Sequence, residues 1–145
     1  MNDLKPISVL VFGAGAIGTY VGGSLALAGQ RVVFIEQPSI AAELRERGLR
    51  LDVSIDKSRD AAEPLIVPPS LIGIVSSPGE AMQQGPFDVA IFAMKSFDTM
   101  AALEGIKPFA DRMPPIFCLQ NGVDNEPKIA AVLGPDRVIA GTITV

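Results

Sequence analysis

Apolar positions along this chain fall into short continuous runs, separated by segments of helical period. Residues 7–12 are a β-branched run of the kind expected for a strand buried on both faces of a parallel sheet. The period then changes. Ile17, Tyr20, Val21, Ser24, Leu25 and Ala28 recur at helical spacing, which predicts a helix with that face inward. Gly29 supplies its stop, and residues 31–35 give a second buried strand that Glu36, Gln37 and Pro38 close. Residues 7–36 thus read as a β-α-β unit of about 30 residues, the length such a unit needs.

A second helix is predicted with Ser39 as its N-cap and Gly48 as its stop. Arg45 and Arg47 sit in its last turn, where the helix dipole favours cations. Short strands are predicted at residues 49–52 and 65–67, around a polar loop at 56–63, and another at 72–75. Pro64, Pro68, Pro69 and Pro78 predict that this region is poor in helix and lies at an edge. Further strands are predicted at 88–94, 116–119 and 138–145, and helices at 97–109 and 126–133. Gly105 weakens the first of these helices; Asp124 and Asn125 lead into the second. Such alternation predicts an α/β fold with a doubly wound, mainly parallel sheet. The 145 residues predict one domain.

The turn after the first strand reads Gly13-Ala14-Gly15-Ala16-Ile17-Gly18, a G-x-G-x-x-G pattern between a strand and a helix. In a dinucleotide-binding turn Gly13 permits the bend, Gly15 lets a pyrophosphate reach the backbone, and Gly18 lets the helix lie close to the sheet. The helix N-terminus offers free N–H groups and a positive dipole end. Gly18 and Gly22 also make a GxxxG pair, read here as close packing on the sheet. Glu36, at the end of the second strand, stands where an acidic residue accepts a hydrogen bond from the adenosine ribose. A carboxylate there repels a 2′-phosphate, which favours NAD over NADP. Lys95 and Asn121 leave later strands at their C-terminal ends, the edge where open α/β sheets bind ligands. Ser96 is placed to cap the helix that follows.

Composition narrows the chemistry. Net charge is -4 and there is no histidine, so a nucleic-acid partner and a histidine acid, base or metal ligand are not expected. The one cysteine, Cys118, sits in an apolar run and reads as a buried small hydrophobe, with no disulfide framework and no metal site. Lys5 followed by an apolar run imitates a signal peptide, but Asp3, Pro6 and the glycine spacing fit a first strand better. No apolar run reaches the roughly 18 residues of a membrane span, and a cytoplasmic protein is expected.

The segments GAGAIG, PSIAAELRERGLRL, FDVAIFAMKSFDT, LQNGVDNE and VIAGT share the order and spacing of one family. Over residues 7–144 the chain resembles the ketopantoate reductases (2-dehydropantoate 2-reductase, ApbA/PanE-like), least closely at 57–85. K-S-x-D-T together with Q-N-G-V is the more specific part of the match. The resemblance implies a Rossmann domain and hydride transfer from NAD(P)H to a 2-keto acid, ketopantoate to pantoate in pantothenate biosynthesis. It implies that Gly13, Gly15 and Gly18, with Ala14, Ala16 and Ile17 between them, bind the dinucleotide. It also implies that Lys95 lies near the nicotinamide ribose and substrate, and that Asn121 contacts cofactor and substrate. Where many members carry an arginine suited to a 2′-phosphate, this chain has Gln37 after Glu36. The family label points to NADP and the local chemistry to NAD.

The family's proton-donating lysine and substrate-binding glutamate lie in a helical C-terminal domain that this sequence stops short of. Residues 1–145 are therefore expected to be the dinucleotide-binding half, with no catalytic acid assigned within it and negligible turnover alone. A homodimer through the apolar face beside residues 139–145 is also expected. The main alternative is a non-catalytic module that senses NAD(H). An interaction domain without ligand and an FAD enzyme fit the intact turn and the later motifs less well.

Overall fold

The computed structural model describes residues 4–54, 56–59, 63–94, 98–121 and 123–144. In chain order the first unit is β1 (Ser8–Phe12), α1 (Ala16–Leu27) and β2 (Arg31–Ile35). Next come α2 (Pro38–Arg47), β3 (Leu49–Leu51), β4 (Leu65–Val67), β5 (Ile72–Val75) and α3 (Pro78–Gln83). The second half holds β6 (Val89–Phe92), α4 (Thr99–Ile106), β7 (Ile116–Cys118), α5 (Asn125–Leu133) and β8 (Val138–Ala140). Six strands form one sheet in the order β5-β2-β1-β6-β7-β8, every neighbouring pair parallel. β3 and β4 form a separate antiparallel pair. This is the doubly wound Rossmann-like architecture that the alternation of elements predicts.

Side chains alternate across the sheet, as a strand's two-residue period requires. Leu10, Phe12, Ala90 and Phe92 join one buried cluster with Leu103 and Ile106 of α4 and Ile129 and Leu133 of α5. Val9, Val11, Val32 and Phe34 join the other, with Leu44 of α2 and Leu49 and Leu51 of β3. Each cluster fills one face, so the central strands are covered on both sides. Between β1 and β6 the strand order reverses. Chains leave those two strands in opposite directions and open a crevice at their C-terminal ends.

Several predicted boundaries shift. α2 starts at Pro38 with Gln37 as N-cap, so Ser39 lies inside the helix; proline's fixed φ suits the first helical position. The proline-rich stretch does contain a helix. Pro78 opens α3, and the Ser77 side chain accepts from the Glu80 N–H at 3.2 Å. Glu80 Oε2 accepts from the Ser76 N–H, also at 3.2 Å. β6 and β7 are shorter than the predicted strands. The predicted helix at 97–109 becomes α4 followed by a 3-10 turn, Lys107–Arg112, because Pro108 lacks the N–H that would continue the α-helix. Gly105 lies within α4, where a Cβ would come 3.2 Å from Pro78. α5 begins at Asn125.

β8 covers only Val138–Ala140; residues 141–144 are not strand, because β7 offers β8 just Ile116, Phe117 and Cys118. The inward face of α1 is also not the predicted one. Its fully buried residues are Gly18, Gly22, Gly23 and Ala26, while Ala28 is exposed. A Cβ on Gly22 would lie 2.6 Å from the Phe34 ring, so the helix seats its glycines on the sheet and lets Ile17, Val21 and Leu25 pack at the flanks.

Candidate functional site

β1 hands over to α1 through the glycine turn. Gly13 has φ +97°, a left-handed conformation that disfavours any residue with a Cβ. Its N–H donates to the Ile35 carbonyl at 3.1 Å. A Cβ on Gly18 would lie 2.0 Å from the Gly13 carbonyl oxygen, so only glycine lets the helix follow so tight a bend. Gly15 is different: no atom lies within 4 Å of where its Cβ would be. It is the N-cap of α1 and offers no side chain to the first helical N–H groups. Thr19 fixes the turn, its N–H donating to the Gly15 carbonyl and its hydroxyl to the Ala14 carbonyl, each at 2.9 Å. The result is a rigid helix N-terminus with open space above its backbone, the condition a phosphate needs.

Glu36 is half-buried at the end of β2 and turns toward that loop. Its Oε1 accepts from the Ala14 N–H at 2.7 Å, and its Oε2 from the Gln37 N–H at 3.0 Å. The carboxylate thus ties the glycine turn to the second strand. Each oxygen keeps a further lone pair for a ligand hydroxyl. A cleft of about 440 Å³ runs from Glu36 past Gly15 and Ala16 to Gln120 and Asn121, across the reversal of strand order. A neighbouring slot of about 310 Å³ lies beside it, lined by Glu36, Pro78, Asp98, Ala101, Ala102 and Gly105. Among the described residues the charged groups lining both are the carboxylates Glu36 and Asp98.

Of the predicted site residues, the structure brings Gly13, Gly15, Ala16, Ile17, Glu36 and Asn121 to this one cleft. Ala14 lines a different cleft of about 430 Å³, between α1, α2 and β3, beside Thr19, Tyr20, Arg47 and Arg50. Gly18 lies beneath the turn as a buried spacer. Lys95, with Ser96, lies outside the described residues. Asn121 is exposed, and its carbonyl accepts from Asn125 Nδ2 at 2.9 Å.

Sequence reasoning missed what supports this end of the cleft. Thr99, Gln120 and Asn125 are buried and hydrogen-bonded to one another. Their signal was a polar residue directly after an apolar strand and another at the start of each following helix. Cys118 is fully buried, and burial pushes its thiol above the ordinary range, so it behaves as the small hydrophobe the sequence predicts. Among the described residues no cluster of three or more His, Cys, Asp or Glu could hold a metal ion. None of the described helices is long and apolar enough to cross a membrane.

The family model described as ketopantoate reductase PanE/ApbA matches residues 9–145. The chain is 30% identical over 132 residues to the uncharacterized oxidoreductase YkpB of Bacillus subtilis (strain 168), covering 91% of this chain and 39% of that protein. A crystal structure of a PanE/ApbA family ketopantoate reductase from Ralstonia eutropha JMP134 superposes with a TM-score of 0.70 at 29% identity, over 94% of this chain and 40% of that one. D-mandelate dehydrogenase, in its ternary structure with NADH and anilino(oxo)acetate, shares the fold at a TM-score of 0.72 and 19% identity, over 94% of this chain and 40% of that one. This chain spans about two fifths of the length of these proteins.

Proposed function

Because the chain belongs to the PanE/ApbA ketopantoate reductase family of oxidoreductases, we propose that it is the cofactor-binding part of an NAD(P)H-dependent 2-keto acid reductase. The observation that carries this reading is the open approach over Gly15 to the first N–H groups of α1, at the point where the strand order reverses. The cofactor's pyrophosphate meets the backbone at Ala16 and Ile17. Its adenosine half lies on the β2 side, where Glu36 accepts from a ribose hydroxyl and the small residues Ala101, Ala102 and Gly105 leave a slot for a flat base. The nicotinamide half lies toward β6 and β7. Bound there, the nicotinamide supplies a hydride. Asn121 contacts cofactor and substrate and Lys95 lies near the nicotinamide ribose and substrate, as the family resemblance implies; a cation and an amide at that edge orient an anionic keto acid. The substrate class is a 2-keto acid reduced to its 2-hydroxy acid, ketopantoate to pantoate.

NAD is the favoured cofactor. A 2′-phosphate on the ribose would face the Glu36 carboxylate, with Asp98 nearby on the wall of the same slot and Gln37 where a cation would be needed. D-mandelate dehydrogenase, similar to this chain in fold alone, was solved with NADH. Calorimetric titration of the 145-residue chain tests the reading. NADH is expected to bind at least about tenfold tighter than NADPH, a difference of ~1.4 kcal/mol. Glu36→Ala is expected to bring the two affinities together. A preference for NADPH overturns the role of Glu36, and binding of neither overturns the cofactor reading itself.

A further inference from the structure

Where β6 and β7 end, a chain of hydrogen bonds joins two segments distant in sequence. Gln120 Nε2 donates to the Met94 carbonyl at 2.7 Å and to Thr99 Oγ1 at 2.9 Å. Thr99 Oγ1 has two acceptors within reach of its one proton, Gln120 Oε1 at 3.2 Å and Asn125 Oδ1 at 3.3 Å; with its oxygen already accepting from Gln120 Nε2, donation to Asn125 is what extends the path. Asn125 Nδ2 in turn donates to the Asn121 carbonyl. Thr99 is the first residue of α4 and Asn125 the first of α5. One connected path therefore fixes two strand ends and two helix starts. Gln120 is 6% exposed, Thr99 is fully buried and Asn125 is 2% exposed. Breaking such a path leaves unpaired polar groups in an apolar surround, so its members act together.

The path lies directly under the cleft, whose wall includes Met94, Gln120 and Asn121. In a doubly wound sheet the two halves of a dinucleotide lie on opposite sides of the strand reversal. Glu36 marks the adenosine side, and Gln120 stands on the other. We propose that Gln120 is the positioning residue of the nicotinamide half. Its amide locks the end of β6 to the end of β7, setting the spacing between Met94 and Asn121. It touches no reacting atom; it acts through the residues it holds. This inference rests on the cofactor reading above.

The test compares NADH with ADP-ribose, which lacks the nicotinamide nucleoside. Gln120→Glu keeps the size of the side chain but sets an acceptor-only carboxylate against the Met94 carbonyl. Thr99→Val cuts the next link at constant shape, and Thr99→Ser restores the hydroxyl. In Q120E and T99V the ratio of NADH to ADP-ribose affinity is expected to fall about tenfold, the loss of about one buried hydrogen bond. ADP-ribose affinity is expected to stay at the wild-type level, and T99S to retain the wild-type ratio. Should Q120E fail to fold, the T99V and T99S pair carries the test. The proposal is overturned if T99V keeps the wild-type ratio, if both ligands weaken together as general softening of the fold would cause, or if the wild-type chain binds NADH no tighter than ADP-ribose. A wild-type chain that binds neither overturns the cofactor reading instead.

Discussion

Tyr20 is the one tyrosine in the chain and there is no tryptophan, so tyrosinate absorbance reports its ionisation alone. Its hydroxyl donates to Asp56 Oδ2 at 2.9 Å, and the Arg59 guanidinium lies 5.3 Å over its ring. Arg59 also pairs with Asp56 at 3.3 Å. The hydrogen bond to Asp56 holds the phenol above its ordinary 10.0, with burial and the Asp56 charge adding to it. Hydrogen bonds from Ser58, then Tyr20, hold the Asp56 carboxyl below its ordinary 3.8. The raised phenol contributes stability fully below pH 10.0 and loses it as pH rises through the shifted value. The lowered carboxyl contributes above 3.8 and loses it as pH falls through its own shifted value. Across the whole neutral range the phenol therefore keeps its proton and the carboxyl its charge, the states this hydrogen bond needs. Spectrophotometric titration is expected to give a Tyr20 midpoint above 10.0 that moves down toward it in Asp56→Asn; a wild-type midpoint at or below 10.0 would show the hydrogen bond absent. None of this was legible in the sequence, because it joins a helix to a loop across the polar stretch at 56–63. Glu36 was legible, by its place after the second strand. Its bond to the Ala14 N–H was not, because that depends on how the turn bends.

At the scale of elements, the three motif glycines separate into two physical kinds, and substitution tells them apart. Gly18→Ala drives a Cβ into the Gly13 carbonyl, which lies 2.0 Å from its ideal position. Backbone must move, at a cost of roughly 1–3 kcal/mol. Gly15→Ala meets nothing within 4 Å and keeps an ordinary φ of -73°, so the fold is expected to be as stable as the parent. Its methyl group instead enters the space the pyrophosphate would use. Chemical denaturation and NADH titration of both variants are expected to show lost stability in G18A and lost affinity at full stability in G15A. Equal destabilisation by the two would overturn this division. The sequence pattern gave the spacing of these glycines but not which was a spacer and which a window. Elements followed the same logic. β1, α1 and β2 were legible because period and glycine stops agree there. α3 was missed although Ser77, Pro78 and Glu80 carry a capping signal, since four prolines outweighed it. The overlong last strand came from β-branched residues that β7 is too short to pair.

At the scale of the molecule, large apolar side chains stay exposed near the C-terminal end of the sheet. Val123 is 87% exposed just past Asn121, and Ile139 and Ile143 are also exposed. Hydride delivery to a keto carbon is complete only when the carbonyl oxygen receives a proton. The chain has no histidine. Glu36 is tied to two backbone N–H groups on the adenosine side, away from where a keto acid would meet the nicotinamide. Lys95 is assigned to orientation by the family resemblance, which implies that the proton donor belongs to a further, helical domain. The 145-residue chain is therefore expected to bind NADH yet oxidise it with ketopantoate at the background rate, followed by the loss of NADH absorbance. Addition of ketopantoate should also leave NADH affinity unchanged, because the family resemblance implies that a substrate-binding glutamate belongs to that further domain. Clear turnover would place the proton donor within these residues and make Lys95 the first group to test, by Lys95→Met.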